Sequence, residues 1–400
     1  MGGKELHPRA AHHHEEMPMS FLSAELLAAI HKRAARHDRD NSFPEDDLND
    51  LRTAGYLSAF VPKEFNGAGL SVERICAEQT ALAKAAPATA LAINMHQIIV
   101  GMARYLVAHG NDKGRQVLHD AAAGELFGFG ISEPGNDLVL FGSISKAVPD
   151  GEGGFSFHGT KVFTSLAPAW TRLLTFGTDD SGDDGPHSVF AILHRDDGGF
   201  YVKPDWDTLG MRATQSNTTV LDGAHAPADQ VLARITPGPN ADPVVFGIFS
   251  HFSAFIAATY QGIGERAIEV AAEQVATRHS VKNDDVYAHD PDIRWRLADA
   301  AIAMNGSAAQ LRDIVRDLDD DADRGALWMP QLSAVKNACV EATMHAVDQA
   351  MRSVGGRSYY TSNELSRLYR DAVAGLFQPT DQESLHAAWA NVVLGPIAKG

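Results

Sequence analysis

The chain is 400 residues long, 44% hydrophobic and 21% charged, with a formal net charge of −17. That length divides into two or three domains, and the composition is that of a folded globular chain rather than a disordered one. The negative balance excludes a general binder of nucleic acid or anionic membrane, since either needs a basic footprint.

Residues 1–20 read as a polar lead-in. His12-His13-His14 could bind a metal, but a solvated tail is the simpler reading. No apolar run approaches the roughly 20 residues of a membrane span. The two cysteines, Cys76 and Cys339, permit no metal-type spacing and at most one bridge. Both fall in apolar helical patterns, so buried thiols in a reducing, cytoplasmic compartment are expected.

Residues 21–126 carry helical periods. Leu22, Leu26, Leu27 and Ile30 form one stripe. Pro44 with Glu45, Asp46 and Asp47 makes a helix start, and Gly55 a stop. Ala81 to Leu106 reads as a buried helix pair, with His96 among its apolar residues as a satisfied core histidine.

Residues 127–238 change character. Gly- and Asp-rich turns at 150–154, 179–185 and 196–199 separate the β-type runs Leu173–Phe176, Val189–Leu193 and Thr218–Leu221. Short strands between such turns predict a small barrel or sandwich.

Helical periods return over 239–400. Ile263, Ala267, Val270 and Ala271 mark one helix. Leu332, Val335, Cys339, Val347 and Val354 mark another, ended by Gly355-Gly356. Long Ala-rich helices predict a bundle, and the acidic run Asp317–Asp323 reads as a solvated helix end or loop.

Two segments carry chemistry. Gly130-Ile131-Ser132-Glu133-Pro134-Gly135 and Gly159-Thr160-Lys161-Val162-Phe163-Thr164-Ser165 set hydroxyls, and in the second case an aromatic, between Gly or Pro punctuation. Hydroxyls can meet heteroatoms on the edge of a flat ring while an aromatic covers its face. Leu209-Gly210-Met211-Arg212-Ala213-Thr214-Gln215-Ser216 and Leu368-Tyr369-Arg370-Asp371-Ala372 follow in order. With these four segments the chain resembles the acyl-CoA dehydrogenase superfamily over nearly its whole length.

The resemblance implies an α+β multidomain fold: an N-terminal all-α domain, a central β-barrel and a C-terminal four-helix bundle. It implies a flavin, FAD, with FMN as the alternative in a monooxygenase. Ser132 falls at the flavin pyrimidine edge, Phe163 at the aromatic over the isoalloxazine, and Ser165 at the hydroxyl near N5. Arg278 matches the arginine that reaches the FAD pyrophosphate of a neighbouring subunit, and Gly355-Gly356 a diglycine near its adenosine. A homotetramer is implied, acting on an acyl-CoA or another small organic molecule, with an electron-transfer flavoprotein or a flavin reductase as redox partner.

One departure bears on the reaction. A dehydrogenase of this kind needs a carboxylate base beside the substrate α-carbon. Phe377-Gln378-Pro379-Thr380 puts Pro379 in the glutamate's place, and the alternative position on an earlier helix is Phe252, beside His251. Oxidation of an acyl thioester would require Asp381 or Glu383 to be recruited. Loss of the base is also the pattern of the superfamily's monooxygenases, which react reduced flavin with oxygen; Ser165, His96 and Gln378 would then be the local donors. An inactive flavin-binding relative is the third reading.

Overall fold

The computed structural model describes residues 20–397. The lead-in with His12–His14 lies outside them, apart from Ser20. Five helices come first: α1 (Ala24–Asp40), α2 (Glu45–Thr53), α3 (Val72–Ala85), α4 (Pro87–Ala108) and α5 (Gly114–Ala122). Ser23 caps α1 and Ser71 caps α3 through their side-chain oxygens. Gly55, at φ +74°, turns the chain after α2. Ala86, with extended backbone, separates α3 from α4, and Pro87 opens α4, so the anticipated helix pair is real.

Eight strands follow: β1 (Phe127–Gly130), β2 (Lys146–Pro149), β3 (Phe155–Lys161), β4 (Arg172–Asp179), β5 (His187–His194), β6 (Phe200–Val202), β7 (Thr219–Ala226) and β8 (Val231–Ile235). They form one sheet in the order β6-β7-β3-β2-β4-β5-β8, with β1 parallel to β4 over Phe127–Gly130 and Arg172–Thr175. The runs Leu173–Phe176 and Val189–Leu193 lie within β4 and β5, and Thr218–Leu221 falls in β7 apart from Thr218, which precedes it. The sheet is open: β6 and β8 are its ends and do not pair, so the central region is not a closed barrel among the described residues. The β2–β3 turn closes on Asp150, whose carboxylate accepts from Glu152 N–H (2.7 Å) and Gly154 N–H (2.9 Å).

The last part is helical: α6 (Pro243–Thr277), α7 (Pro291–Asp319), α8 (Trp328–Val354), α9 (Glu364–Val373) and α10 (Gln382–Leu394). The 35-residue α6 is the axis of the molecule, packing against α3, α4, α7 and α8. Gly262 allows a close approach: a Cβ there would stand 2.4 Å from the Thr80 carbonyl oxygen of α3. By length and composition both α4 and α6 could cross a membrane, which the reading of apolar runs missed. Yet 83% of each apolar window is buried inside the fold, as in core helices. Cys76 and Cys339 are buried free thiols.

Asp319, in the acidic run, accepts from Val72 N–H (2.7 Å) and Glu73 N–H (2.9 Å), so the end of α7 caps the start of α3. The Arg370-Asp371 segment of α9 grips the 209–216 loop. Asp371 accepts from Met211 N–H at 2.6 Å, and Arg370 donates to the Leu209 carbonyl at 3.0 Å. Burial raises Asp371 to about 6, only partly opposed by Arg367 and the Met211 hydrogen bond. Its folded pKa therefore exceeds its unfolded one. The stability it contributes is complete below about 4 and is lost as pH rises through 6. Asp371→Asn is expected to flatten that slope, worth about 3 kcal/mol, in urea melts recorded between pH 4 and 7. An unchanged slope would place its origin elsewhere.

Candidate flavin site

The site is built where β1 and β3 end side by side. Val162 N–H donates to the Ser132 carbonyl at 2.9 Å, which brings the two motif segments together. Behind them Lys161 Nζ lies 2.6 Å from Glu133 Oε1, with both side chains wholly inaccessible. The Glu133 carboxylate also accepts from Ser143 O–H (2.6 Å), Ile144 N–H (2.8 Å), Ser145 N–H (3.0 Å) and the Asn136 amide (2.7 Å). Burial works against its charge, but the Lys161 ammonium and these donors outweigh burial and hold it at about 2. Burial lowers Lys161 to about 8, with Glu133 opposing. Both groups are charged at neutral pH.

From this anchor the chain turns out. Phe163 is 62% exposed with φ +56°, and meets Trp206 edge-on at 6.0 Å. Leu166, Met211 and Gln215 also have positive φ, so four strained non-glycine residues gather in two adjoining loops. Such clustering is characteristic of functional sites. Ser165 is buried, and its hydroxyl lies 2.7 Å from Ser216, which lies 2.7 Å from Thr214. Thr214 donates to the Met211 carbonyl at 2.8 Å. Thr164 Oγ1 is buried without a hydrogen-bond partner, an orphan that a ring heteroatom could satisfy. A protruding aromatic, a half-buried Ser132 and an unpartnered hydroxyl fit a flat ring with a polar edge.

Arg278 and Gly355, far apart in sequence, adjoin. Arg278 Nη1 donates to the Val354 carbonyl and would stand 3.7 Å from a Cβ on Gly355; its guanidinium lies 4.4 Å from the Tyr287 ring centre. Gly356 is exposed.

The proposed donors and bases fare differently. His96 is fully buried: Nε2 meets the Leu57 carbonyl at 2.7 Å and Nδ1 accepts from Phe127 N–H at 3.2 Å. Burial lowers it to about 4. It is a neutral anchor for the start of β1, not a donor to a ligand, because both ring nitrogens are occupied by backbone. Asp381 accepts from Ser384 N–H at 2.9 Å and caps α10, which lowers its pKa further; a carboxylate committed to its own helix is a poor candidate base. Glu383 is exposed in the first turn of α10. Gln378 is half-buried and its side-chain Oε1 has no partner. Phe252 stacks on Phe129 at 6.0 Å.

Sequence reasoning missed Lys336. Its Nζ donates to three carbonyls of the loop before α10: Gly375 (2.9 Å), Gln378 (2.7 Å) and Thr380 (3.1 Å). The Asn337 amide adds a bond to Thr380 at 2.9 Å. A lone lysine in an otherwise apolar helical stripe was the available signal.

Comparison with known proteins agrees with the architecture. The models for the acyl-CoA dehydrogenase N-terminal and C-terminal domains match residues 5–125 and 243–376. The chain belongs to the acyl-CoA dehydrogenase superfamily. It is 29% identical over 363 residues to L-evernosamine nitrososynthase of a Micromonospora species, covering 89% of this chain and 85% of that protein. It is 28% identical to the putative acyl-CoA dehydrogenase YdbM of Bacillus subtilis, covering 86% and 88%. The structure of KijD3 in complex with FMN and dTDP-3-amino-2,3,6-trideoxy-4-keto-3-methyl-D-glucose superposes with a TM-score of 0.84 at 28% identity, covering 94% of this chain and 92% of that one.

The Glu133–Lys161 pair gives a direct test of how the site is held. Lys161→Met leaves a buried carboxylate without its counter-charge and is expected to cost about 3–5 kcal/mol in guanidinium unfolding. A loss under about 1 kcal/mol would show that the pair is not the anchor.

Proposed function

We propose that this protein is a flavin-dependent monooxygenase acting on a small organic molecule, not a dehydrogenase of acyl thioesters. The observation that carries the reading is the loop 375–380. Pro379 stands where a base is required, the loop's carbonyls are held by Lys336, and the neighbouring carboxylates cap a helix or face solvent. Similarity to a nitrososynthase, and to KijD3 with its bound FMN, supports the same reading.

When bound, the flavin would supply the two-electron chemistry: reduced flavin, oxygen and substrate give oxidised flavin, water and the oxygenated product. Phe163 would cover one face of the ring, and Ser132 and Thr164 would meet its edge. The hydroxyl chain has a direction. A carbonyl can only accept, so Thr214 spends its hydrogen on Met211, Ser216 donates to Thr214, and Ser165 donates to Ser216. Ser165 Oγ is left as an acceptor, which suits the N–H groups of a reduced flavin. Exposed apolar side chains on α7 (Trp295, Ile302) and α10 (Val393, Leu394) support assembly into an oligomer, and a flavin reductase would be the electron source.

The apoprotein is expected to bind reduced FMN at least about tenfold more tightly than oxidised FMN, a difference of about 1.4 kcal/mol. Ser216→Ala, which frees the Ser165 hydrogen, should narrow that ratio, and Phe163→Ala should weaken both forms. Anaerobic titration followed by fluorescence reads all three. Bleaching of protein-bound oxidised flavin by acyl-CoAs would instead establish the dehydrogenase.

A further inference from the structure

A cavity lies away from this wall. Its volume is about 320 Å³, within the range of small-molecule sites, and it is an open cleft bordered by the end of α4, the approach to and start of α6, the end of α7 and the start of α8. The other end of α4 adjoins the flavin wall, where Thr89, Ala92 and Ile93 meet Leu166. Tyr105 and Thr89 stand about 24 Å apart along α4 at 1.5 Å per residue, so no small ligand spans both places.

Three rings wall the cavity. Tyr105 and Phe246 lie 5.0 Å apart, and Phe246 and Trp328 meet edge-on at 5.6 Å. Asp317 and Asp321 are the charged groups of the lining. Asp317 is paired with Arg324 at 2.5 Å, whereas Asp321 faces only the His109 imidazole at 3.1 Å. The guanidinium of Arg324 rests 5.5 Å from the Trp328 ring centre, so one cation–π contact is already made at the edge of this wall. From Arg312 to Arg324 six aspartates stand against three arginines, a field that repels phosphates.

We propose that this cavity binds an organic cation, an ammonium on an apolar or aromatic body, with the charge between Asp321 and the rings. The aromatic walls supply area and cation–π attraction, and Asp321 supplies the counter-charge. The proposal is independent of the flavin reading, because binding here requires no flavin.

The test is isothermal titration of the full chain with benzyltrimethylammonium, with benzyl alcohol and thymidine diphosphate as controls, in the presence and absence of FMN. The ammonium is expected to bind with or without FMN, at least about fivefold more tightly than benzyl alcohol, and thymidine diphosphate should not displace it. Asp321→Asn, an exposed substitution that leaves the core intact, and Trp328→Leu should each weaken it about fivefold or more. Equal binding of benzyl alcohol, displacement by the nucleotide, indifference to both substitutions, or no heat with the ammonium would each overturn the proposal. Failure of FMN to bind would bear on the flavin reading alone.

Discussion

The Glu133–Lys161 ion pair is the constraint from which the candidate site follows. Two charges taken out of water cost several kcal/mol each, and their attraction offsets this only if the remaining hydrogen-bonding positions are filled. Here they are filled from four directions. Glu133 collects donors from Asn136, Ser143, Ile144 and Ser145, and Lys161 adds the Phe176 carbonyl at 2.8 Å and the Phe176 ring at 4.6 Å. The loop after β1, the approach to β2, the end of β3 and the middle of β4 are thereby fixed to one point. A hydrophobic pair could fill the same space, but it would not dictate which loop meets which. With the pair in place, Ser132 and Phe163 must leave the sheet as neighbours.

That rigidity is what allows the next residues to be strained. Phe163, Leu166, Met211 and Gln215 occupy a backbone region that costs of order 1–3 kcal/mol each for a side chain, and they persist because their surroundings over-determine them. Leu166 N–H bonds Thr214, Met211 N–H bonds Asp371, and Arg212 donates to the Asp38 and Thr208 carbonyls. Gly210 is needed because a Cβ there would fall 2.0 Å from the Arg370 carbonyl oxygen. The N-terminal helices, the sheet and α9 thus converge on a few residues of loop, and the strain turns Phe163 outward where an apolar ring would otherwise be buried.

Period and punctuation made much of this legible. The stripes of α4 and α8, the turns at 150–154 and 179–185, and the joining of Ser132 with Phe163 and Ser165 could all be read from residue types. What could not be read depends on partners distant in sequence. Nothing local says that His96 spends both nitrogens on Leu57 and Phe127, or that Asp319 leaves its own helix to cap α3. An open sheet and a barrel have the same strand and turn pattern; only the pairing of the edge strands distinguishes them. Glu133 and Lys161 stood in plain view inside their motifs, yet a charged residue in a loop reads as solvated until its burial is known.

Lys336 ties the end of the bundle to the loop that bears on the proposed reaction. Its ammonium is buried, and burial lowers it to about 8 despite Asp381 and Glu341, so it remains charged at neutral pH. That charge is spent on the carbonyls of Gly375, Gln378 and Thr380, which shape the loop around a proline where a dehydrogenase needs its carboxylate. The loop is therefore organised by backbone, not by a proton-transfer group. The Ser165–Ser216–Thr214 hydroxyls, by contrast, form a directed chain that ends in an acceptor at Ser165, the arrangement that the proposed reduced ring would use.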